Sequence, residues 1–209
     1  MKKKKIIIID YGMGNVGSIK NAIYTLGYDA SISNEKKDIE GATHIILPGV
    51  GAFGDGMKNL SSFGLESDLT EEVLVKKKPF LGICLGMQML LDRGEEGGDY
   101  RGIGWIRGVT KRLQYVDEAK SRLPHIGWND VSPQTDSVLF KGIKRPIFYF
   151  VHSYHVVPDD NSIVSAYTEY GEKFASAIEK DNIFGVQFHP EKSQQEGLKV
   201  LENFILYNV

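Results

Sequence analysis

Hydrophobic positions fall into two regimes along this chain. In the first half, short unbroken apolar runs alternate with stripes of helical period. Ile6 to Ile9 are β-branched and bounded by Lys5 and Asp10, which predicts a strand buried on both faces. "YGMGN" then makes a glycine-rich turn. From Val16, apolar residues recur at Ile19, Ala22, Ile23 and Leu26, a helical stripe stopped by Gly27. "YDASIS" predicts a second strand. His44 to Leu47 predicts a third, running into the glycine loop of "LPGVGAFGDGM". Residues 65 to 78 read as helix, "PFLGIC" (79 to 84) as another buried strand, and "LGMQMLLDRG" as a helix ending near Gly94. Strand and helix in alternation predict an α/β fold: a mostly parallel sheet with helices on both faces.

From about 101 to 190 the apolar segments become short and turn-separated: "GWIRGVTKRL", "FYFVHSYHVV", "SIVSAYTEY", "KFASAIEK" and "IFGVQFHP". They predict antiparallel strands and hairpins added to the sheet. Leu198, Leu201, Phe204 and Ile205 return to helical spacing in the tail, 193 to 207. No linker, repeat or low-complexity tract interrupts the pattern, so residues 1–209 are expected to form a single domain with a sizeable core.

Composition narrows the class by exclusion. The chain is 42% hydrophobic and 25% charged, ordinary for a globular protein. A net charge of -2 offers no electrostatic footprint for nucleic acid or an anionic membrane. "MKKKKIIIID" opens basic, but four isoleucines are too short for a signal-peptide core, and no segment approaches the roughly 18 apolar residues of a membrane span. The lysine run at 2 to 5 is expected to be an unstructured start. One cysteine permits no internal disulfide and fits a reducing compartment, and no zinc-type Cys/His spacing is present. These features predict a cytoplasmic protein with no membrane, nucleic-acid or metal partner.

That one cysteine carries the candidate chemistry. Cys84 stands in Gly82-Ile-Cys-Leu-Gly86, directly after a predicted strand and before a predicted helix. This is the arrangement of a nucleophile elbow, although a packed structural cysteine is also consistent with it. A sharp turn lifts the nucleophile over the sheet's carboxyl edge, small flanking residues admit the neighbouring backbone, and a helix starting at Leu85 aims amides at the sulfur and favours thiolate. A thiol nucleophile needs a base and an orienter. His44 lies inside a strand, and His125, His152 and His155 lie in turn or edge segments. His189, in "VQFHPEKS", ends a late strand whose edge leads towards Cys84. Glu191, two residues on in extended chain, shares its side and can orient the imidazole. Oxyanion donors are expected from the amides of Leu85 and Val50. Gly49 and Gly51 flank Val50 and give the Gly49–Val50 peptide freedom to lie carbonyl-in at rest and to turn amide-in when active.

"PGVGAFGDGM", "GICLGMQMLL" and "QFHPEKS" resemble the class I glutamine amidotransferases, which use a Cys-His-Glu triad. "DYGMGN", "PHIGWND" (124 to 130) and "YFVHSYHV" (149 to 156) are similar to the branch that serves imidazole glycerol phosphate synthesis. The resemblance runs from residue 6 to about 205. It implies a three-layer fold with added antiparallel strands, and a reaction in which Cys84 attacks glutamine, His189 gives a proton to the departing ammonia, and water cleaves the glutamyl thioester. Ammonia would pass through a channel to a TIM-barrel cyclase in a heterodimer, giving imidazole glycerol phosphate and AICAR. No cofactor is implied. Gln88, one helical turn after the nucleophile, Glu96, His152, Ser153 and Tyr154 match glutamine-binding positions. Asn15, Trp128, Tyr149 and Lys192 match positions near the partner. The loop "DRGEEGG" departs from the family pattern, which has Ser before the paired glutamates. Two contrasting readings remain: a paralogue feeding ammonia to amination of a surface-polysaccharide sugar, and a non-catalytic binding module on the same scaffold.

Overall fold

The computed structural model describes residues 4–114 and 122–208. In chain order its elements are β1 (Ile6–Ile9), α1 (Val16–Thr25), β2 (Ala30–Ser33), α2 (Lys36–Gly41), β3 (His44–Leu47), α3 (Phe53–Ser62), α4 (Leu65–Thr70, extended by a wider turn over Glu71–Val75), β4 (Phe80–Ile83), α5 (Leu85–Gln88), β5 (Leu91–Gly94), β6 (Tyr100–Arg101) and β7 (Ile106–Arg112). There follow β8 (His125–Asp130), β9 (Ser132–Pro133), β10 (Ile147–His152), β11 (Tyr154–Pro158), β12 (Val164–Tyr170), β13 (Glu172–Lys180), β14 (Ile183–Val186) and α6 (Gln194–Leu206).

The parallel part of the sheet runs β2-β1-β3-β4-β14, and the same sheet continues through β13, β11, β7, β5 and β6. β13 joins antiparallel to β14 and β11. Strand alternation sorts the central isoleucines onto two faces. Ile7 and Ile9 pack with Ile39, Phe53, Leu60 and Leu69 from α2 to α4. Ile6 and Ile8 pack with Ile19 and Ile23 of α1 and Leu201 and Phe204 of α6. Both faces are covered, which is why the β1 and β3 runs read as continuous apolar stretches. No helix among the described residues is long and apolar enough to cross a membrane.

Four expectations are corrected. The elbow helix does not reach Gly94: α5 is four residues long, and Leu91–Gly94 is a strand beside β7, with Leu91 opposite Ile106. The glycine loop after β3 is shorter than expected, because α3 starts at Phe53 and takes in Gly54 and Gly56. β8 and β10 pair with each other in a separate antiparallel ribbon rather than extending the main sheet. In the basic start, Lys2 and Lys3 lie outside the described residues, but Lys4 is tied to the other end of the chain. Its ammonium donates to Asn208 Oδ1 at 2.7 Å and to the Tyr207 carbonyl at 3.2 Å.

Four histidines, His44, His125, His152 and His155, are buried as neutral rings. Burial pushes their pKa values from 6.5 down to about 4, 4, 3 and 4 respectively. Each folded-state value lies below that of the unfolded chain, so unfolding takes up protons. The stability they contribute is fully present above about pH 6.5 and drains as pH falls towards 4. The urea midpoint is therefore expected to fall steadily from pH 7 to pH 5, before most carboxylates protonate. A flat midpoint across that window would refute the neutral-ring assignment.

Candidate active site

The β4 ladder runs into the nucleophile position: Cys84 N–H donates to Val186 O at 2.8 Å, and the Cys84 carbonyl accepts from Met87 N and Gln88 N at 3.0 and 3.1 Å. A strand and a helical turn thus meet at one residue, which is forced to φ 53° and ψ −110°. A non-glycine residue there is strained, as expected of an elbow. The glycines on either side are required by close backbone. A Cβ on Gly82 would sit 2.7 Å from Gly86 O, and one on Gly86 would fall onto the Leu47 carbonyl oxygen. Gly86→Ala is expected to cost at least about 3 kcal/mol, the upper end for overpacking. That should lower the thermal midpoint by at least about 6 °C for a chain of this size. An unchanged midpoint would contradict this packing.

β14 lies parallel to β4, with Val186 opposite Ile83, so the segment after β14 reaches the same sheet edge as Cys84. His189 sits there with its side chain buried. Its Nδ1 is 2.9 Å from Glu191 Oε1, itself buried, while Nε2 makes no hydrogen bond. Burial alone would lower the His189 pKa. The Cys84 sulfur and the Glu191 carboxylate outweigh it and hold the value up at about 10. An imidazolium is therefore the resting form, held in orientation by Glu191 and able to balance negative charge on sulfur and to deliver a proton.

The two amides expected as oxyanion donors do not face the same way. Leu85 N–H donates to Gly49 O at 3.4 Å. The Gly49 carbonyl thus faces the Leu85 amide, and because the peptide is planar and trans, the Val50 N–H points the other way. Gly49 is boxed in: an added Cβ would lie 2.6 Å from Tyr11 Oη and 2.7 Å from Leu85 Cβ. Gly51 has φ +111°, which disfavours any side chain. With α5 only one turn long, its dipole contributes less at the sulfur than a full helix would.

A cleft of about 150 Å³ opens over the sulfur, lined by Val50, Gly51, Cys84, Leu85, Gln88, Glu96, Val151, His152, Ser153 and Tyr154. The two loop glutamates divide: Glu96 faces this cleft, its Oε2 accepting from Phe53 N–H at 2.8 Å, while Glu95 pairs with Arg93 at 3.1 Å. Burial raises the Glu96 pKa against the pull of that Phe53 hydrogen bond. A larger cleft of about 420 Å³ beside β1 and β2 contains no cysteine or histidine, so size does not locate the chemistry. Among the described residues no cluster of three or more His, Cys, Asp or Glu is arranged for a metal ion.

Asn15 caps α1, accepting from Ser18 N–H at 3.3 Å. Trp128 and Tyr149 are cross-strand neighbours on the β8–β10 ribbon, and Lys192 Nζ lies 5.8 Å from the Tyr149 ring centroid. Two site residues were missed from sequence. Tyr11 is buried and donates its hydroxyl to Pro48 O at 2.9 Å, beneath the oxyanion loop. Gln187 donates to Cys84 Sγ at 3.6 Å. The extended-chain spacing that singled out Glu191 on one side of His189 applies equally to Gln187 on the other.

A strained cysteine at a strand-to-helix elbow, with a buried His-Glu pair beside it, defines a thiol-dependent acyl-transfer site on a mixed α/β sheet. The chain matches the family described as Glutamine amidotransferase class-I over residues 7–207, and it belongs to that family of glutaminases. It is 47% identical over 201 residues to imidazole glycerol phosphate synthase subunit HisH 2 of Pseudomonas aeruginosa, covering 96% of this chain and 98% of that one. With a subunit of the same name from Methanococcus maripaludis it shares 49% identity over 201 residues, again covering 96% and 98%. In three dimensions it superposes on a chain from the structure of PurLQS from Thermotoga maritima with a TM-score of 0.73 at 18% identity, covering 97% of both.

Proposed function

We propose that this chain acts, as one domain, as the glutaminase subunit of an imidazole glycerol phosphate synthase, supplying ammonia for histidine biosynthesis. What supports this reading most is near-full-length identity close to one half with subunits of that name, joined to an intact Cys84, His189 and Glu191 arrangement. Glutamine enters the cleft with its amide carbon over Cys84. Sulfur attacks, His189 protonates the leaving nitrogen, and ammonia departs. Water, deprotonated by His189, then cleaves the thioester to glutamate. In this reading Glu96 and the Gln88 side-chain oxygen, whose amide nitrogen is bonded to Tyr154 and Gln187, hold the substrate's polar ends.

The acceptor would be a separate TIM-barrel cyclase in a heterodimer. The outer face of the β8–β10 ribbon carries Ile126, Trp128, Ile147 and Tyr149, and Trp128 is 49% exposed. An apolar face of this kind marks a protein-docking surface. It runs up to Val151, whose carbonyl lies 4.0 Å from Cys84 Sγ, so ammonia released at the sulfur would emerge under the docked partner. Trp128→Ala is expected to raise the dissociation constant for the cognate barrel at least about thirtyfold, as for a central aromatic anchor. Sedimentation or calorimetry reads it. The decisive experiment couples purified chain to its cognate barrel and follows glutamine-dependent formation of imidazole glycerol phosphate. Glutamine hydrolysis without that product, or transfer to a sugar acceptor instead, would overturn the pathway while leaving the glutaminase intact.

A further inference from the structure

Gln187 is fully buried, contacts the reacting sulfur, and has no part in the triad. Which end of its amide faces Cys84 follows from a backbone anchor. The Tyr154 carbonyl can only accept, so the Gln88 atom 2.9 Å from it is the amide nitrogen. That same nitrogen lies 3.1 Å from Gln187, whose facing atom must then be Oε1. The Gln187 NH₂ group is left pointing at Sγ.

The other side of the Tyr154 carbonyl is held by a second chain with the same polarity. His152 Nδ1 is 2.8 Å from that carbonyl and must donate to it, so in a neutral ring Nε2 accepts. His125 Nδ1, at 3.0 Å, is then the donor to His152, and His125 Nε2 accepts from Asn129 Nδ2 at 3.2 Å. Asn129 Nδ2 is identified independently, because it also donates to the Glu169 carbonyl at 3.0 Å. Both ends of the chain are pinned by backbone carbonyls and agree. Both rings stay neutral across the working pH range, with pKa values pushed down to about 4 and about 3 by burial, so the polarity does not invert.

We propose that Gln187 is a catalytic hydrogen-bond donor to the Cys84 sulfur, locked in that sense by Gln88 and Tyr154, which stabilises negative charge on sulfur before attack and again when the thioester breaks. In the second step the carbon–sulfur bond cleaves, its electron pair goes to sulfur, and the Gln187 N–H holds that charge beside the His189 imidazolium, which has taken its proton from the attacking water, so the resting pair is restored. The role rests on Cys84 being the nucleophile. It differs from that of His189, since an amide cannot exchange its proton for catalysis and contributes only as a fixed dipole.

Alkylation of Cys84, the sole thiol, tests this in resting protein without turnover. The other titratable groups facing or backing the sulfur are His189 with Glu191, Tyr11, whose own pKa is raised by burial and by Cys84, and the neutral His152, with Glu96 across the cleft. Gln187→Met keeps the volume and removes the donor. Its iodoacetamide rate profile is expected to move about one pH unit upward, the size of one charge-assisted hydrogen bond. Its glutamine kcat should fall about tenfold or more, with KM nearly unchanged. Gln187→Glu, which places a carboxylate against sulfur, should move the profile further. In the unmodified protein, the Gln187 side-chain amide proton resonance should titrate with the alkylation midpoint. An alkylation profile unchanged in a folded variant, or an amide resonance that does not move through that midpoint, overturns the proposal. Loss of alkylation and turnover on Cys84→Ala keeps the nucleophile assignment separately testable.

Discussion

Cys84→Ala is expected to abolish glutamine hydrolysis, to below about a thousandth of the parent rate, while leaving the fold intact. No other thiol exists in the chain to form the glutamyl thioester. The variant should fold because alanine fits the same small space and meets the same backbone strain. The void left by one sulfur atom costs on the order of 1 kcal/mol. The strain itself can be read separately. At φ 53° glycine is at ease where alanine is not. Cys84→Gly should therefore be as stable as Cys84→Ala, or more so, although it buries less. His189→Ala should be as inactive as Cys84→Ala. Glu191→Gln should retain more activity, since Glu191 orients the ring rather than reacting. Paired glutaminase and thermal-denaturation measurements decide all of these, and normal turnover in Cys84→Ala would remove Cys84 from the reaction.

Glutamine turnover should rise at least about tenfold when the cognate barrel and its nucleotide ligand are both bound. The reason lies in the Gly49–Val50 peptide, which points its carbonyl at Leu85 N–H and so fills the oxyanion hole with an acceptor. A missing donor costs a factor of roughly 10² to 10³, large enough to keep the isolated subunit slow. Turning the peptide places the Val50 N–H beside that of Leu85 and completes the hole. Tyr11 holds the preceding Pro48 carbonyl at 2.9 Å, so the Pro48–Gly49 peptide stays fixed while the Gly49–Val50 peptide turns. A ligand drives it only by binding the turned state more tightly. Val50 is 41% exposed at the mouth of the cleft, near the proposed docking face, where a partner can make that distinction. Gly51→Pro removes an N–H and cannot adopt φ +111°. It should depress the stimulated kcat far more than glutamine binding. An isolated subunit as fast as the loaded complex would refute the switch and leave the triad standing.

Several features were legible because their physics is local. Four isoleucines in a row between charged residues admit little but a doubly covered strand, and β1 is that strand. Gly-x-Cys-x-Gly encodes an elbow because the glycines answer clashes within a few residues of the cysteine. Glu191 reaches His189 across one 3-10 turn over Pro190–Lys192, a contact made within two residues, although not through the extended chain expected there.

Other features depended on partners distant in sequence. "MQMLLDRG" gathers its apolar residues into one short run, so its periodicity cannot separate helix from strand. Its second half became β5 because β7, from Ile106 onward, offered an edge to pair with. Gly54 and Gly56 read as helix breakers, yet both lie within α3. A Cβ at either would come within 2.8 Å of Tyr100 or Met89, so packing against distant residues, not backbone freedom, explains them. The amide sense of Gln187 and the inward Gly49 carbonyl are likewise set by groups brought in from other strands. By itself the sequence determined the first strands and helices, the elbow and the pairing of Glu191 with His189, because these follow from neighbours along the chain. Only the tertiary structure decided which face of each polar group meets the sulfur, because hydrogen-bond direction is chosen by whatever donor or acceptor folding brings opposite it.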